Sequence, residues 1–179
     1  GASYIQKYLN TKTVTGLDIS SNAVDLSNSS FDTPGLTYIE GDSENLPFED
    51  NRFDVVLNVE SSHCYGNIEK FVYEVGRVLK KGGVFLWCDF RTENSMKDLF
   101  DLFLSSGFVI EKEKDITKNI MSALELLTPS RKKQINAHVP KIIKRVFESY
   151  AGITGGEVNN AFVSGNLIYK SAALKIAKH

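Results

Sequence analysis

Apolar and polar positions along the chain change period several times, and the changes mark the elements. Residues 4–9 read as the end of a helix, with Asn10 as its stop. Residues 13–17 read as a short strand, and residues 21–27 as a short helix with Ser20 or Ser21 as its N-cap. Pro34-Gly35 predicts a turn into a strand at 36–40, which ends at Gly41-Asp42. "SENLPFEDNR" is a polar loop. "FDVVLNVE" carries consecutive apolar residues, as expected of a strand covered on both faces. Beyond Asn67, a cap candidate, the residues Ile68, Phe71, Val72, Val75, Val78 and Leu79 fall at helical spacing, and Gly82-Gly83 are expected to end that helix. "VFLWCDF" predicts a second buried strand that ends near Asp89. Met96, Leu99, Phe100, Phe103 and Leu104 form a helical stripe stopped at Gly107, and "FVIEKEKDI" alternates as a half-exposed strand does. Residues 117–150 are expected to be mostly helical, with breaks at Pro129 and Pro140. The tail reads as two strand-like pieces, 160–163 and 167–175, turned by Ser164-Gly165-Asn166. Strands alternating with helices predict an α/β chain with a mostly parallel, doubly wound sheet.

Composition narrows this without redirecting it. The chain has 179 residues, 42% hydrophobic and 24% charged, with a net charge of −1. That suits one soluble domain with its own core, and it predicts no general attraction to nucleic acid or to an anionic membrane. No apolar run reaches the roughly 20 residues of a membrane helix, so no integral membrane segment is expected. Cys64 and Cys88 lack metal-ligand spacing and are too few for a disulfide framework, so no metal site is expected and a cytoplasmic protein is the simplest reading. The chain starts with Gly1-Ala2 rather than Met, so a processed, tag-derived or cut start is expected.

Several polar residues stand where apolar runs end. Asp18 closes the strand in "VTGLDISS", Asp42 follows the next, Asn58 ends the third and Asp89 the fourth. In doubly wound sheets, ligands bind beyond the carboxyl ends of the strands. A carboxylate there accepts charge-assisted hydrogen bonds from ribose hydroxyls or an adenine amino group. Taken alone, Asp18 is equally well read as a surface acid beside a helix start. His63, in "VESSHCYGN", lies in a loop at this edge between Glu60 and Asp89, either of which can orient its ring, and histidine takes a proton near neutral pH. Cys64 is better read as a small apolar filler than as a nucleophile. The cationic residues Arg131, Lys132, Lys133, Lys141, Lys144 and Arg145 read as a solvated face. The apolar set Ile120, Leu124, Leu127, Ile142, Ile143, Val146 and Phe147 belongs either to a lid over the ligand edge or to a cover of the sheet.

"VTGLDIS", "IEGDSENLPFEDNRFDVVLNVES", "VGRVLKKGG" and the closing strand pair resemble class I S-adenosylmethionine-dependent methyltransferases over nearly the whole chain. The run "GDSENLPFEDNRFDVVLNVESSHCY" resembles the phthiotriol and phenolphthiotriol dimycocerosates methyltransferases and, more loosely, sugar O-methyltransferases and enzymes of the ubiquinone-biosynthesis type. The resemblance implies a Rossmann-like sheet of seven strands, the last of them antiparallel. It implies S-adenosyl-L-methionine as cofactor, with Asp18 on the ribose hydroxyls, Ile19 beside the adenine, Asp42 on the adenine amino group and the Ser43 N–H on a ring nitrogen. Asn58 and Val59 would flank the methionine end. His63 and Asp89 would serve the acceptor hydroxyl, and a second histidine common in such enzymes is replaced here by Cys64. Gly1 resembles the last glycine of the family's glycine motif, so the first strand and most of that motif are expected to be missing. That strand belongs between the strands at 13–17 and 54–59, whose backbone would then lack a partner.

The resulting expectation is one methyltransferase domain over 1–179, partial at its N-terminus, with a helical lid-like insertion at about 117–160. Its function would be methyl transfer to a hydroxyl of a small molecule or lipid, assisted by His63; the reading allows a homo-oligomer. The alternative is a non-catalytic, methyltransferase-like module that binds a partner through an incomplete sheet. A nicotinamide-dependent oxidoreductase also needs a glycine loop but does not account for "GDSENLPF".

Overall fold

The structure is a computed structural model that describes residues 1–140 and 156–176. In chain order these form α1 (Ala2–Tyr8), β1 (Val14–Asp18), α2 (Ser21–Ser30), β2 (Leu36–Glu40), β3 (Phe53–Val59), a 3-10 turn (Ser62–Cys64), α3 (Ile68–Val78) and β4 (Leu79–Arg91). There follow α4 (Glu93–Ser105), β5 (Phe108–Asp115), α5 (Thr117–His138), α6 (Glu157–Val163) and β6 (Ile168–Ile176). The chain divides into two compact units, Gly1–Phe53 with Tyr65–Lys80, and Asp54–Cys64 with Lys81–His179.

In the first unit β1 and β2 pair in parallel, from Val14 opposite Leu36 to Asp18 opposite Glu40. The far edge of β2 is met by a side chain: Asn28 Nδ2 donates to Tyr38 O at 2.9 Å, and Tyr38 N donates to Asn28 Oδ1 at 3.1 Å. Gly16 is required where it stands, because a Cβ there would come within 2.5 Å of the Tyr38 ring. Ser20 caps α2, its hydroxyl accepting from Ala23 N at 3.3 Å.

The polar loop after Asp42 is strapped down by α3. Arg77 donates to the carbonyls of Leu46 and Phe48 and to the carboxylates of Asp50 and Glu74, all within 2.6–2.9 Å. Glu74 in turn accepts from Leu46 N at 2.7 Å. The Arg77 guanidinium holds the Glu74 carboxyl below its usual range, against the opposing effect of burial.

In the second unit the strand order is β3-β4-β6-β5, and β6 runs antiparallel to both β4 and β5. The antiparallel last strand is therefore present. Alternation along β4 puts Phe85 and Trp87 on one pleat face, where they meet Phe103 at ring separations of 5.8 and 5.9 Å. Phe100 closes on Trp87 at 5.9 Å, so β4 and α4 form the aromatic core of this unit.

Five sequence expectations change. The first concerns β3, which was expected to be buried on both faces. Val55, Leu57 and Val59 are about half exposed, because β3 ends its sheet and one of its faces is open among the described residues. As expected, β1 and β3 each keep an edge with no ladder partner among the described residues.

The second concerns α3, which ends at Val78 rather than at Gly82-Gly83. Its last carbonyls are taken by the backbone N–H groups of Asn51 and Arg52, at 3.0 and 2.9 Å, so no glycine cap is needed.

The third is the break expected at Pro129. Helix α5 runs through it, and the hydroxyls of Thr128 and Ser130 donate to the carbonyls of Leu124 and Leu127 in the disturbed turn. The break before Pro140 does occur, with Val139 extended as a residue before proline prefers.

The fourth is the tail, where 160–163, expected as a strand, lies within the helix Glu157–Val163, and a single strand follows. The fifth is Cys64, which is exposed and so fills no core. The expectations for Lys141, Ile142, Ile143, Lys144, Arg145, Val146 and Phe147 lie outside the described residues.

Candidate active site

In the first unit, parallel pairing delivers two acids to one sheet end. Asp18 closes β1, and its carbonyl accepts from Gly41 N at 2.9 Å, directly before Asp42. Each carboxylate uses one oxygen locally: Asp18 Oδ1 accepts from Ser20 N at 2.9 Å, and Asp42 Oδ1 from Glu44 N at 2.8 Å. Their second oxygens have no hydrogen-bond partner among the described residues, and both residues are exposed. Ile19, between β1 and α2, is 75% exposed, an uncovered apolar surface beside two uncommitted carboxylate oxygens. Ser43 follows at the turn, half-buried. Gly1 is exposed at the start of α1, its carbonyl accepting from Ile5 N at 3.1 Å. This arrangement fits an adenosine: carboxylates to accept from hydroxyl and amino groups, and an apolar face for the base.

In the second unit, the ends of β3 and β4 meet where Glu60 N donates to Cys88 O at 2.9 Å. Asn58 is buried, and its Nδ2 donates to Ser61 Oγ at 2.9 Å; Val59 beside it is 52% exposed. Asp89 is fully buried, and its carboxylate accepts from Ser62 Oγ (2.6 Å), His63 N (3.0 Å), Phe90 N (2.9 Å) and the His63 ring at Nδ1 (2.8 Å). A carboxylate only accepts, so the neutral ring bonded to it holds its proton on Nδ1 and keeps its lone pair on Nε2. The His63 side chain remains 29% exposed and leans on Phe90, with ring centroids 4.4 Å apart.

Three further residues hold this pair, and none was singled out from the sequence. Ser62 Oγ accepts from Trp87 Nε1 at 3.0 Å and from Arg91 Nη2 at 3.2 Å. Burial pushes the Arg91 guanidinium down, while the nearby Asp89 carboxylate opposes that shift. The signal was present in β4: period-two alternation puts Phe85, Trp87 and Asp89 on one face, and a buried tryptophan needs a partner for its N–H.

A cavity of about 640 Å³ opens beside His63. Its walls are apolar for most of their extent, from Phe90, Ile120, Leu124, Ile135, Val158 and Phe162, with Glu60, Arg131, Gln134 and Tyr169 as polar members. Helices α5 and α6 thus supply much of its lining. Of the expected cationic face, Arg131 turns out to line this cavity.

The methyltransferase-domain family profile matches residues 1–87. The chain is 34% identical over 155 residues to a probable phthiotriol/phenolphthiotriol dimycocerosates methyltransferase 2 of Mycobacterium ulcerans, covering 87% of this chain and 60% of that protein. It is 30% identical over 150 residues to a fatty-acid O-methyltransferase of Mycolicibacterium smegmatis, covering 84% of this chain and 55% of that protein. Among solved structures, the O-methyltransferase of a Brevibacillus brevis polyketide multienzyme, in complex with S-adenosyl-L-homocysteine, superposes with a TM-score of 0.74 at 19% identity, over 98% of this chain and 62% of that one. The chain spans about 55–60% of the length of these two curated relatives. Residues 1–87 thus match a methyltransferase domain, and the solved neighbour shares the chain's Rossmann-like α/β fold.

Proposed function

We propose that the protein transfers a methyl group from S-adenosylmethionine to a hydroxyl of a small-molecule or lipid acceptor, with His63 as general base. The observation that carries this reading is His63, held by the buried Asp89, on the wall of a mostly apolar cavity. The cofactor, when bound, supplies a methyl already activated on a sulfonium, so the protein's work is positioning, proton removal and exclusion of water. Asp18 would accept from the ribose hydroxyls, Ile19 would lie on the adenine and Asp42 would take its amino group. The Ser43 N–H would reach a ring nitrogen. Gly1 belongs to the same binding set, and Asn58 and Val59 would flank the methionine end.

The acceptor oxygen forms its bond to the methyl as the methyl–sulfur bond breaks, and the bonding pair stays on sulfur. The acceptor proton passes to His63 Nε2, and Asp89 holds the ring in the tautomer that can take it. Helices α5 and α6 act as the lid expected of the 117–160 insertion, keeping an apolar acceptor body over the site.

The test is single-turnover methyl transfer to a hydroxylated acceptor, with cofactor affinity measured separately. A His63→Ala protein should lose turnover and keep its affinity. Full turnover in that variant would remove His63 from the chemistry.

A further inference from the structure

Glu60 stands out among residues with left-handed backbone. Among the described residues, the non-glycine residues with positive φ are Asn10, Asn51 and Glu60, the last at +52°. Asparagine adopts this conformation readily; glutamate gains nothing local from it. Such strain persists where surrounding structure over-determines it, and it clusters at ligand sites. The surroundings here are specific. The Glu60 N–H is tied to Cys88 O at 2.9 Å, and its side chain lines the same cavity as His63, three residues on. The hydroxyl of Tyr169, a residue only 2% exposed, neighbours both the Glu60 carboxylate and the Cys88 thiol. Burial and that carboxylate push the Tyr169 hydroxyl upward, so it stays a donor facing an acceptor.

We propose that Glu60 is a specificity-determining residue for the acceptor. Its carboxylate, fixed on the cavity wall beside His63, accepts the hydrogen bond of a neutral acceptor hydroxyl as the acceptor binds, before that proton passes to His63 Nε2, and repels an acceptor that is itself a carboxylate. The inference rests on the methyl-transfer reading and names its substrate class: an alcohol or phenol on an apolar body. The chemistry of the His63–Asp89 pair points the same way. A carboxylic acid, with an ordinary pKa of about 4, has already lost its proton at neutral pH and needs no base. An alcohol or phenol holds its proton until the oxygen attacks. Arg131, on the same cavity wall, is the residue that would favour an anionic acceptor instead.

Two probes with one apolar body separate these cases, 4-octylphenol and 4-octylbenzoate. They are titrated into the protein saturated with S-adenosylhomocysteine, and methyl transfer to each is measured separately. The wild type should bind the phenol about 10-fold more tightly than the benzoate or better, since a like charge opposes the benzoate. Glu60→Gln keeps an acceptor oxygen for Tyr169 and loses the charge; it should erase about 10-fold of that preference, mostly through better benzoate binding. Glu60→Lys should reverse the preference. A wild-type preference for the benzoate overturns the inference, as does a Glu60→Gln preference within about twofold of wild type. If neither probe binds the wild type, the cavity is not the acceptor site and the inference falls with it. If the phenol binds with the expected preference but receives no methyl group, the selectivity of Glu60 is supported and it is hydroxyl methylation that fails.

Discussion

Asp18 and Asp89 are both aspartates that close a strand, yet they are held in opposite ways. The Asp18 carboxylate is exposed and, among the described residues, accepts one hydrogen bond, from the backbone of the next residue but one. Asp89 is fully buried and accepts from Ser62, from Phe90 and twice from His63. An exposed carboxylate contributes little to the fold and is free for a ligand. A buried one is tolerated only when its lone pairs are filled, and filling them freezes its neighbours. In the proposed reading the same sheet-end position serves two purposes: capture at Asp18, and pre-organisation at Asp89.

The largest expected effect follows from removing the buried acid. Asp89→Ala leaves the Ser62 hydroxyl, two backbone N–H groups and the His63 ring without their acceptor. Each such loss costs about 1–3 kcal/mol, so stability should fall by about 3 kcal/mol or more. Turnover should fall with it. Chemical denaturation of parent and variant checks the first part; an unchanged midpoint would mean that the buried acid is not what organises this region. Asp89→Asn keeps the volume and should spare more stability than turnover, since an amide cannot stabilise a protonated imidazole as a carboxylate does.

His63→Ala sharpens the comparison by removing the ring and sparing the acid. Turnover should drop by about 10²–10⁴-fold, the usual contribution of a general base, with cofactor affinity nearly unchanged. In a double variant with Asp89→Asn, the loss should be smaller than the product of the two single losses, because the pair acts as a unit. A multiplicative loss would show two independent contributions.

Asp18→Ala should show the reverse profile. Cofactor affinity should weaken by about 1–3 kcal/mol in a calorimetric titration, the range for a hydrogen bond made to a charged group. The thermal midpoint without ligand should hardly move, because among the described residues only the Ser20 N–H loses a partner, and it lies at the surface. A loss of stability as large as that of Asp89→Ala would erase the distinction between the two acids.

What was legible in the sequence divides along the same line. Asp18, Asp42, Asn58 and Asp89 stand out because each ends an apolar run, and His63 stands out by following one. Those are local signals, and the alternation of strands and helices that frames them is local too. Ser62, Arg91 and Trp87 were not legible as a group, because they meet Asp89 or one another across 25–29 residues of chain. Pro129 predicts a break that does not occur, because a proline weakens a helix without obliging it to end. The stretch 157–163 was read partly as a strand, although Val158, Ala161 and Phe162 lie at helical spacing. The exposure of β3 was the plainest miss. Its apolar run is that of a covered strand, and a run cannot show whether the cover is present.

The smallest expected effect concerns a third carboxylate, which tests whether burial alone separates fold from site. Glu74 is 7% exposed, lies in the first unit and serves no ligand in this reading; it straps the loop that follows Asp42 and Ser43. Its folded pKa lies below its ordinary value of 4.5, chiefly because of the Arg77 hydrogen bonds. A group whose pKa is depressed on folding stabilises the protein above its unfolded value, and that stability is lost as pH falls through the folded pKa. The protein should therefore lose stability on acidification below about pH 4.5, with Glu74 adding at most one proton's slope, about 1.4 kcal/mol per pH unit. Glu74→Gln should remove that part of the slope and lower stability at neutral pH. The check is a set of thermal melts of parent and variant from pH 3.5 to 7, taken without ligand so that only the fold is read. If the two curves stay parallel throughout, the Glu74–Arg77 strap is not the acid-sensitive element of the first unit. Asp50, which also pairs with Arg77 but is largely exposed, would then be the next carboxylate to replace.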